Sequence, residues 1–331
     1  MDKEREEIEI TVCIPVYNAE KWIGACIDSI LSQDTDAAFE VICVDDASSD
    51  NSASVVEEYA KRDKRVRLVK HVENRGPMVA RRTAIESGRG KYYFFCDADD
   101  FLPNSAFRAL LAEAHRTSAD IIAGDLVMVN NDGPGARRNR NFSIGMTTSS
   151  YLKAILKDTT CSLCGALIAR TMFENRNYET FENQIYNEDR MILTQMLTNV
   201  RGKVAPVDAV AYCYRVNPDS TTRKPRTEGQ LAEELAALVW CYDYAEHYHE
   251  FARENDGFMM RKLGLMIEEG NNKEYILGFD GRFRDLMSWG RMKPILGARL
   301  ATHISLCRVS EPYRKFTNSV RHALRRRQHK E

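Results

Sequence analysis

The chain has 331 residues, 44% hydrophobic and 29% charged, with a formal net charge of −1. That length buries one large core or two moderate ones, and the balance describes a folded globular protein, not a disordered segment. A near-neutral chain has no overall pull toward nucleic acid, so no nucleic-acid partner is expected, although the first residues are acidic-rich and the last ones basic. The N-terminus lacks the basic-then-apolar pattern of a signal peptide, and no run approaches the roughly 18 apolar residues of a membrane helix. A cytoplasmic location is expected. The nine cysteines are an odd number, and Cys13, Cys43 and Cys96 fall within apolar runs. They read as small buried hydrophobes in a reducing compartment. Cys161-Ser162-Leu163-Cys164 is a lone CxxC without a second pair or a well-spaced histidine, which argues against zinc there.

Taken in chain order, Ile10 to Val16 reads as a strand, and Glu20 to Leu31 has apolar residues at helical spacing. Phe39 to Val44 is a second strand. Ser48-Ser49-Asp50 caps a helix from Asn51 to Lys61. Val66 to Val69 is a short strand, and Gly76-Pro77 opens a helix to Glu86. Tyr92 to Cys96 is a strand, Ala106 to His115 a helix, and Ala119 to Val129 another strand. This alternation predicts an α/β fold with a doubly wound, mostly parallel sheet. Residues 130–147 are polar and Gly-rich and read as a flexible loop, either a hairpin tip or a lid. A helix from Ser149, a strand at Leu163 to Ile168 and a helix from Glu188 to Leu197 follow. Asn187 suits the N-cap of that last helix. Two paired short strands are expected near Lys203 to Pro206 and Val210 to Arg215, then a long helix over 227–251 and mostly helix beyond.

Polar clusters follow three of these strands: Tyr17-Asn18, Asp45-Asp46 and Asp97-Ala98-Asp99-Asp100. Parallel strands separated by helices bring such ends to one edge, where ligands of open α/β sheets bind. Two carboxylates one residue apart can chelate one hard cation, or divide between a metal and ribose hydroxyls. The plainer alternative is an acidic turn before the helix after Pro103. Asp45-Asp46 can be a strand-end turn, but adjacent like charges call for a donor such as a nucleobase N–H or a ribose hydroxyl. Tyr17 is placed to stack on a base. Arg81 and Arg82 form a solvated helix face, or Arg81 balances the acidic edge or a diphosphate. Neither GxGxxG nor GxxxxGK[ST] occurs, which argues against a dinucleotide-binding domain and a P-loop ATPase.

Thr11 to Gln33, Val41 to Asp50 and Asn74 to Asp100 resemble the nucleotide-binding half of family 2 glycosyltransferases with the GT-A fold. The matching motifs are Pro15-Val16-Tyr17-Asn18, Val44-Asp45-Asp46-Ala47-Ser48, Ala80-Arg81 and Asp97-Ala98-Asp99-Asp100. The similarity is dense to residue 110, thinner to 220, and absent beyond. The resemblance implies a GT-A domain over 9–225, with a nucleotide-binding half at 9–115 and an acceptor half at 116–225. An N-terminal tail (1–8) precedes it, and a helical C-terminal region with a basic tail (226–331) follows. It implies a nucleotide site at Pro15, Tyr17, Asn18, Glu20, Asp46, Arg81 and Asp97, with Tyr17 and Asp46 at the base and Asp97 on the ribose or sugar side. Asp99, with or without Asp97, holds Mg2+ or Mn2+. Asn187-Glu188-Asp189-Arg190 matches the family's acidic pair, which makes Asp189 the implied catalytic base. Arg215 and Arg223 are candidate diphosphate clamps. The family often carries a lysine after a Trp-Gly pair; here that stretch is Cys164-Gly165-Ala166. The implied activity is inverting transfer of a sugar from a nucleotide-diphospho-sugar, a UDP-sugar first, to a saccharide or lipid-linked acceptor of a bacterial surface polysaccharide.

Two rivals remain: a non-catalytic nucleotide-sugar-binding or assembly protein of the same fold, and a nucleotidyltransferase. The acidic residues argue against the first. Against the second, the loop after the first strand holds Tyr17-Asn18-Ala19-Glu20 instead of a Gly-rich, basic sequence. In the C-terminal region, Leu296, Leu300, Ile304 and Cys307 lie at helical spacing before a tail carrying Arg314, Lys315, Arg321, Arg325, Arg326, Arg327 and Lys330. An apolar stripe beside a basic cluster suits peripheral contact with an anionic membrane. A helix docked on the protein with a solvated tail is the alternative.

Overall fold

β1 (Ile10–Val16) is buried along almost its whole length, because it lies between β2 (Phe39–Asp45) and β4 (Tyr92–Phe95) and runs parallel to both. A strand flanked on both sides and covered on both faces needs apolar residues at every position, which the run ITVCIPV supplies. The computed structural model describes residues 7–130, 133–138, 145–157, 161–174, 176, 178–216, 226–269, 272–296 and 298–309.

β3 (Val66–Lys70), β5 (Ile121–Asn130), β6 (Gly133–Arg138), β7 (Met146–Thr147), β8 (Ala166–Ala169) and β9 (Lys203–Arg215) complete one sheet, in the order β3-β2-β1-β4-β8-β5-β9-β7 with β6 paired to β5. Among the described strands only β6, β7 and β8 run against the common direction. The sheet is therefore mixed and mostly parallel. Its connecting helices are α1 (Ile23–Leu31), α2 (Ser52–Arg62), α3 (Pro77–Ser87), α4 (Ala106–Thr117), α5 (Thr148–Lys157) and α6 (Glu188–Asn199).

Four local expectations change. α1 starts at Ile23, not Glu20, because residues 19–22 form a turn closed by the Ala19 carbonyl. Gly133–Arg138 is a strand of a hairpin with β5, whereas 131–132 and 139–144 lie outside the described residues. The two short strands expected at 203–215 are one strand, β9, bulged where Ala123 faces Pro206 and Asp125 faces Val210. Proline offers no N–H to the ladder, and the extra residues loop out beside it. Asn187 makes no side-chain cap; it enters α6 in the left-handed region, at φ 61°.

The chain divides into two compact units, Met1–Tyr151 with Ser162–Lys224, and Leu152–Cys161 with Pro225–Glu331. The second holds α7 (Glu228–Glu246), α8 (Ala252–Glu268), α9 (Lys273–Phe279), α10 (Phe283–Leu286), α11 (Trp289–Leu296) and α12 (Ala298–Val309). α7 opens on a capping box in which Thr227 and Gln230 satisfy each other's backbone N–H groups. Phe258, Leu263, Ile276, Phe283, Met292 and Ile304 are core residues of this unit. Ile304 and Cys307, half of the stripe expected to face a membrane, are buried (4% and 1% exposed). Packing with α8 takes up these two residues, whereas Leu296 and Leu300 stay half-exposed. The basic residues of the tail lie outside the described residues. No described helix is long and apolar enough to cross a membrane.

Candidate active site

The carboxyl ends of β1, β2 and β4 share one edge, since the three strands are adjacent and parallel. Tyr17 follows β1 directly and is 53% exposed. An aromatic ring left in solvent at a sheet edge is available for stacking. Pro15 sits within β1, opposite Val44.

Asn18 and Glu20 are occupied differently from the expectation. Asn18 Oδ1 accepts from the Ser49 backbone N–H (2.8 Å) and hydroxyl (3.1 Å). Glu20 Oε2 accepts from the Asn51 backbone N–H (3.0 Å) and side-chain amide (3.1 Å). Both side chains clasp the β1–α1 loop to the β2–α2 loop, because strand-end loops leave backbone donors that nearby short polar side chains satisfy. Asp50 Oδ1 in turn accepts from the Ser52 N–H.

Asp46, expected at the base, has its carboxylate engaged by the protein itself. It is 2% exposed, and its oxygens accept from the backbone N–H groups of Arg75 (3.1 and 3.2 Å) and Gly76 (2.7 Å). His71 Nδ1 lies 2.6 Å from Asp46 Oδ1, and His71 Nε2 lies 2.9 Å from Thr83 Oγ1. Asp46 thus fixes the β3–α3 loop. Its neighbour Asp45 is also buried, yet its Oδ1 has no hydrogen-bond partner among the described residues. A buried acceptor left unpaired is costly, and a ligand donor would satisfy it. The sequence resemblance puts Asp46, not Asp45, at the base.

Arg81, on α3, is the centre of the edge. It is 2% exposed; Nη2 donates to Asp97 Oδ1 (2.8 Å), and Nη1 donates to Glu188 Oε1 (3.1 Å). Asp189 Oδ1 lies 3.6 Å from the same Nη2. Burial by itself lowers an arginine's pKa, but the charges of Asp189, Asp97 and Glu188 more than reverse this and hold Arg81 protonated. Of the two readings left open, Arg81 takes the one that balances the acidic edge. Asp189 stands in the first turn of α6, and its Oδ2 accepts from the Leu163 N–H at 3.1 Å. Glu188 is pushed up to about 7 by burial and by the neighbouring Asp189 and Asp97, against the pull of Arg81.

Asp97, Asp99 and Asp100 leave β4 together. The Tyr212 hydroxyl accepts from the Asp97 N–H (3.0 Å) and donates to Asp100 Oδ2 (2.7 Å). The Arg215 N–H donates to Asp100 Oδ1 (2.7 Å), and Arg215 Nε to the Asp99 carbonyl (2.9 Å). The Arg215 guanidinium lies 5.0 Å from the ring centres of both Trp22 and Phe101. β9 therefore shapes the acidic loop through Tyr212 and Arg215. Burial, then the charges of Asp97 and Asp99, push Asp100 up to about 8. An all-oxygen cluster of carboxylates on one loop fits a hard divalent cation. Arg223, the second expected clamp, lies outside the described residues.

Sequence reasoning did not single out Asp100, Tyr212, His71 or Asp45 as site residues. The signal for Asp100 was in plain view, as the third carboxylate of one loop. Tyr212 and His71 carry no motif, and only folding brings them there.

Residues 11–176 match the model of the family described as glycosyl transferase family 2. The glycosyltransferase EpsJ of Bacillus subtilis is 30% identical over 243 residues, covering 71% of this chain and 70% of EpsJ. A poly(ribitol-phosphate) beta-glucosyltransferase of Bacillus spizizenii is 34% identical over 38% of this chain, and the match spans 20% of that protein. The structure of S. aureus TarS 1-349 in complex with UDP-GlcNAc aligns with TM-score 0.73 at 18% identity, over 96% of this chain and 92% of that one. A mannosyltransferase of Pyrobaculum calidifontis, in complex with GDP-Man and Mn2+, aligns at TM-score 0.53 and 18% identity, over 95% of this chain and 87% of that one. The structural likenesses establish the GT-A type of fold, and the sequence matches carry the family. With its acidic strand-end edge and its match over 11–176, the chain belongs to glycosyl transferase family 2 and is a glycosyltransferase.

Proposed function

We propose that the protein moves a sugar from a nucleotide-diphospho-sugar to a hydroxyl of a saccharide or lipid-linked acceptor, inverting the anomeric centre, in bacterial surface polysaccharide synthesis. The observation that carries this reading is the meeting of Asp97 with Glu188 and Asp189 around Arg81, at the edge where the parallel strands end. A UDP-sugar is the favoured donor, because TarS of the same fold holds UDP-GlcNAc and UDP. The class of acceptor follows the relative named for poly(ribitol-phosphate).

In this reading Tyr17 stacks on the base, and Asp45 accepts a hydrogen bond from a base N–H. Asp46 acts indirectly, by holding the loop at Gly76. Asp99, with Asp97, holds Mg2+ or Mn2+. When bound, the cation supplies Lewis-acid neutralisation of the charge on the departing nucleoside diphosphate. Asp189 takes the proton of the acceptor hydroxyl as that oxygen attacks the anomeric carbon from the face opposite the leaving group. General-base assistance of this kind is worth about 10²–10⁴ in rate. Arg81 and the Leu163 N–H hold Asp189 in place, and Arg215 holds the acidic loop in shape.

The test pairs binding with turnover. Calorimetric titration of UDP into wild type is expected to show binding that manganese strengthens and chelator weakens, with Asp99→Ala losing the metal dependence. Asp189→Asn is expected to keep that binding and to lower kcat by about 10²–10⁴. Metal-independent affinity in wild type would remove the cation from the site, and near-normal turnover by Asp189→Asn would remove Asp189 as the base. Release of pyrophosphate in place of a free nucleoside diphosphate would favour the nucleotidyltransferase reading.

A further inference from the structure

We propose that Glu268, His303 and Cys307 bind one zinc ion that ties α12 to α8 within the helical unit. Among the described residues, these three side chains offer a carboxylate oxygen, an imidazole nitrogen and a thiol sulfur within 4.8 Å of one another. His303 Nε2 lies 3.4 Å from Glu268 Oε2 and 3.9 Å from Cys307 Sγ. Glu268 is 6% exposed and Cys307 1% exposed.

The placement follows from the helices. His303 and Cys307 are four residues apart on α12, so they share a face. Glu268 is the last residue of α8. The two helices approach closely one turn earlier: a Cβ on Gly264 would stand 2.9 Å from side-chain atoms of Ile304. That contact sets His303 beside Glu268.

Both the Glu268 carboxylate and the Cys307 sulfur meet the same ring nitrogen, His303 Nε2, so the three donor atoms converge on one point where a metal would take one ligand from each. Zinc bonds of about 2.0–2.3 Å in a tetrahedral arrangement separate the donor atoms by about 3.3–3.7 Å. The two separations at Nε2 are close to that range, so small side-chain adjustments suffice. A donor set with thiolate and imidazole selects zinc over magnesium, which distinguishes this site from the all-oxygen acidic loop. Binding exchanges the Cys307 thiol proton for a metal–sulfur bond, and the fourth position is left to water. Neither CxxC cysteine contributes.

The experiment uses the full-length protein, stripped of metal and titrated with Co2+ as a spectroscopic probe. A thiolate-to-cobalt charge-transfer band saturating at equimolar metal is expected, with Zn2+ displacing the cobalt. Cys307→Ser and Cys307→Ala both abolish the band, while circular dichroism reports an intact fold. His303→Ala and Glu268→Gln weaken affinity by at least about 10–100-fold, the loss typical even of outer partners of metal ligands. Asp99→Ala and Cys161→Ser leave the band unchanged. Zn2+ also raises the Tm of wild type but not of Cys307→Ser. Absence of the band, its survival in Cys307→Ser, or its loss in Cys161→Ser would overturn the proposal.

Discussion

Arg81 shows what one side chain must do at an acidic sheet edge. Its guanidinium, 3% exposed, faces Asp97, Glu188 and Asp189. Removing one partner of a buried ion pair costs about 3–5 kcal/mol, because the charges left behind stay desolvated. Arg81→Met is therefore expected to lower unfolding stability by about that much in urea denaturation, whereas Arg82→Met stays within about 0.5 kcal/mol. Arg82, 49% exposed, pairs with Glu86 and donates to the Thr180 hydroxyl, both at the surface. Equal effects of the two substitutions would show that Arg81 is not the keystone. Arg81→Lys is expected to recover only part of the loss, since a point-like ammonium cannot hold Asp97 and Glu188 on separate prongs.

At the scale of elements, the β3–α3 connection ties the end of β2 to the segment before α6. The Asn183 N–H donates to the Arg75 carbonyl (2.7 Å), Arg75 pairs with Glu182, and Asp46 holds the Gly76 N–H from below. Gly76 permits this crossing for two reasons. Its φ is +88°, and a Cβ there would stand 3.0 Å from the Asn183 backbone. Gly76→Ala combines backbone strain with a contact that the neighbour can relieve only by moving. It is expected to cost more than about 1 kcal/mol and to raise the KM for donor, because the loop carries Asp46 on one side and leads into α3 and Arg81 on the other. Gly229→Ala is the control: it sits in α7 with open space around its Cβ position. Unchanged stability and KM in Gly76→Ala would separate this loop from the donor site.

Across the whole molecule, the acidic edge makes stability depend on pH. Glu188 rises from 4.5 to about 7 in the folded state, so the folded protein holds a proton that the unfolded chain has already lost. Its contribution is fully present below about 4.5 and is lost as pH rises through about 7. In urea denaturation with chelator present, wild type is expected to lose stability relative to Glu188→Gln between pH 5 and pH 8. The variant keeps an acceptor for Arg81 but cannot ionise. A difference between the two proteins that stays constant over that range would contradict the assignment.

The sequence by itself determined the strands and the edge on which the site stands. Hydrophobic runs such as Ile10 to Val16 and Phe39 to Asp45 can be buried only as central strands, and parallel connection then fixes where Tyr17, Asp45 and Asp97 emerge. Residue type and order suffice for that, because the period of burial is a local property of the chain. Which of two adjacent carboxylates stays open was decided only by tertiary structure. Asp46 is spent on the N–H groups of Arg75 and Gly76, which arrive from a loop 29 and 30 residues away. The union of Arg81 with Glu188, 107 residues on, was likewise invisible, as were Tyr212 beneath Asp100 and His303 beside Glu268. These contacts depend on direction and distance between side chains far apart in sequence, and no local pattern encodes either.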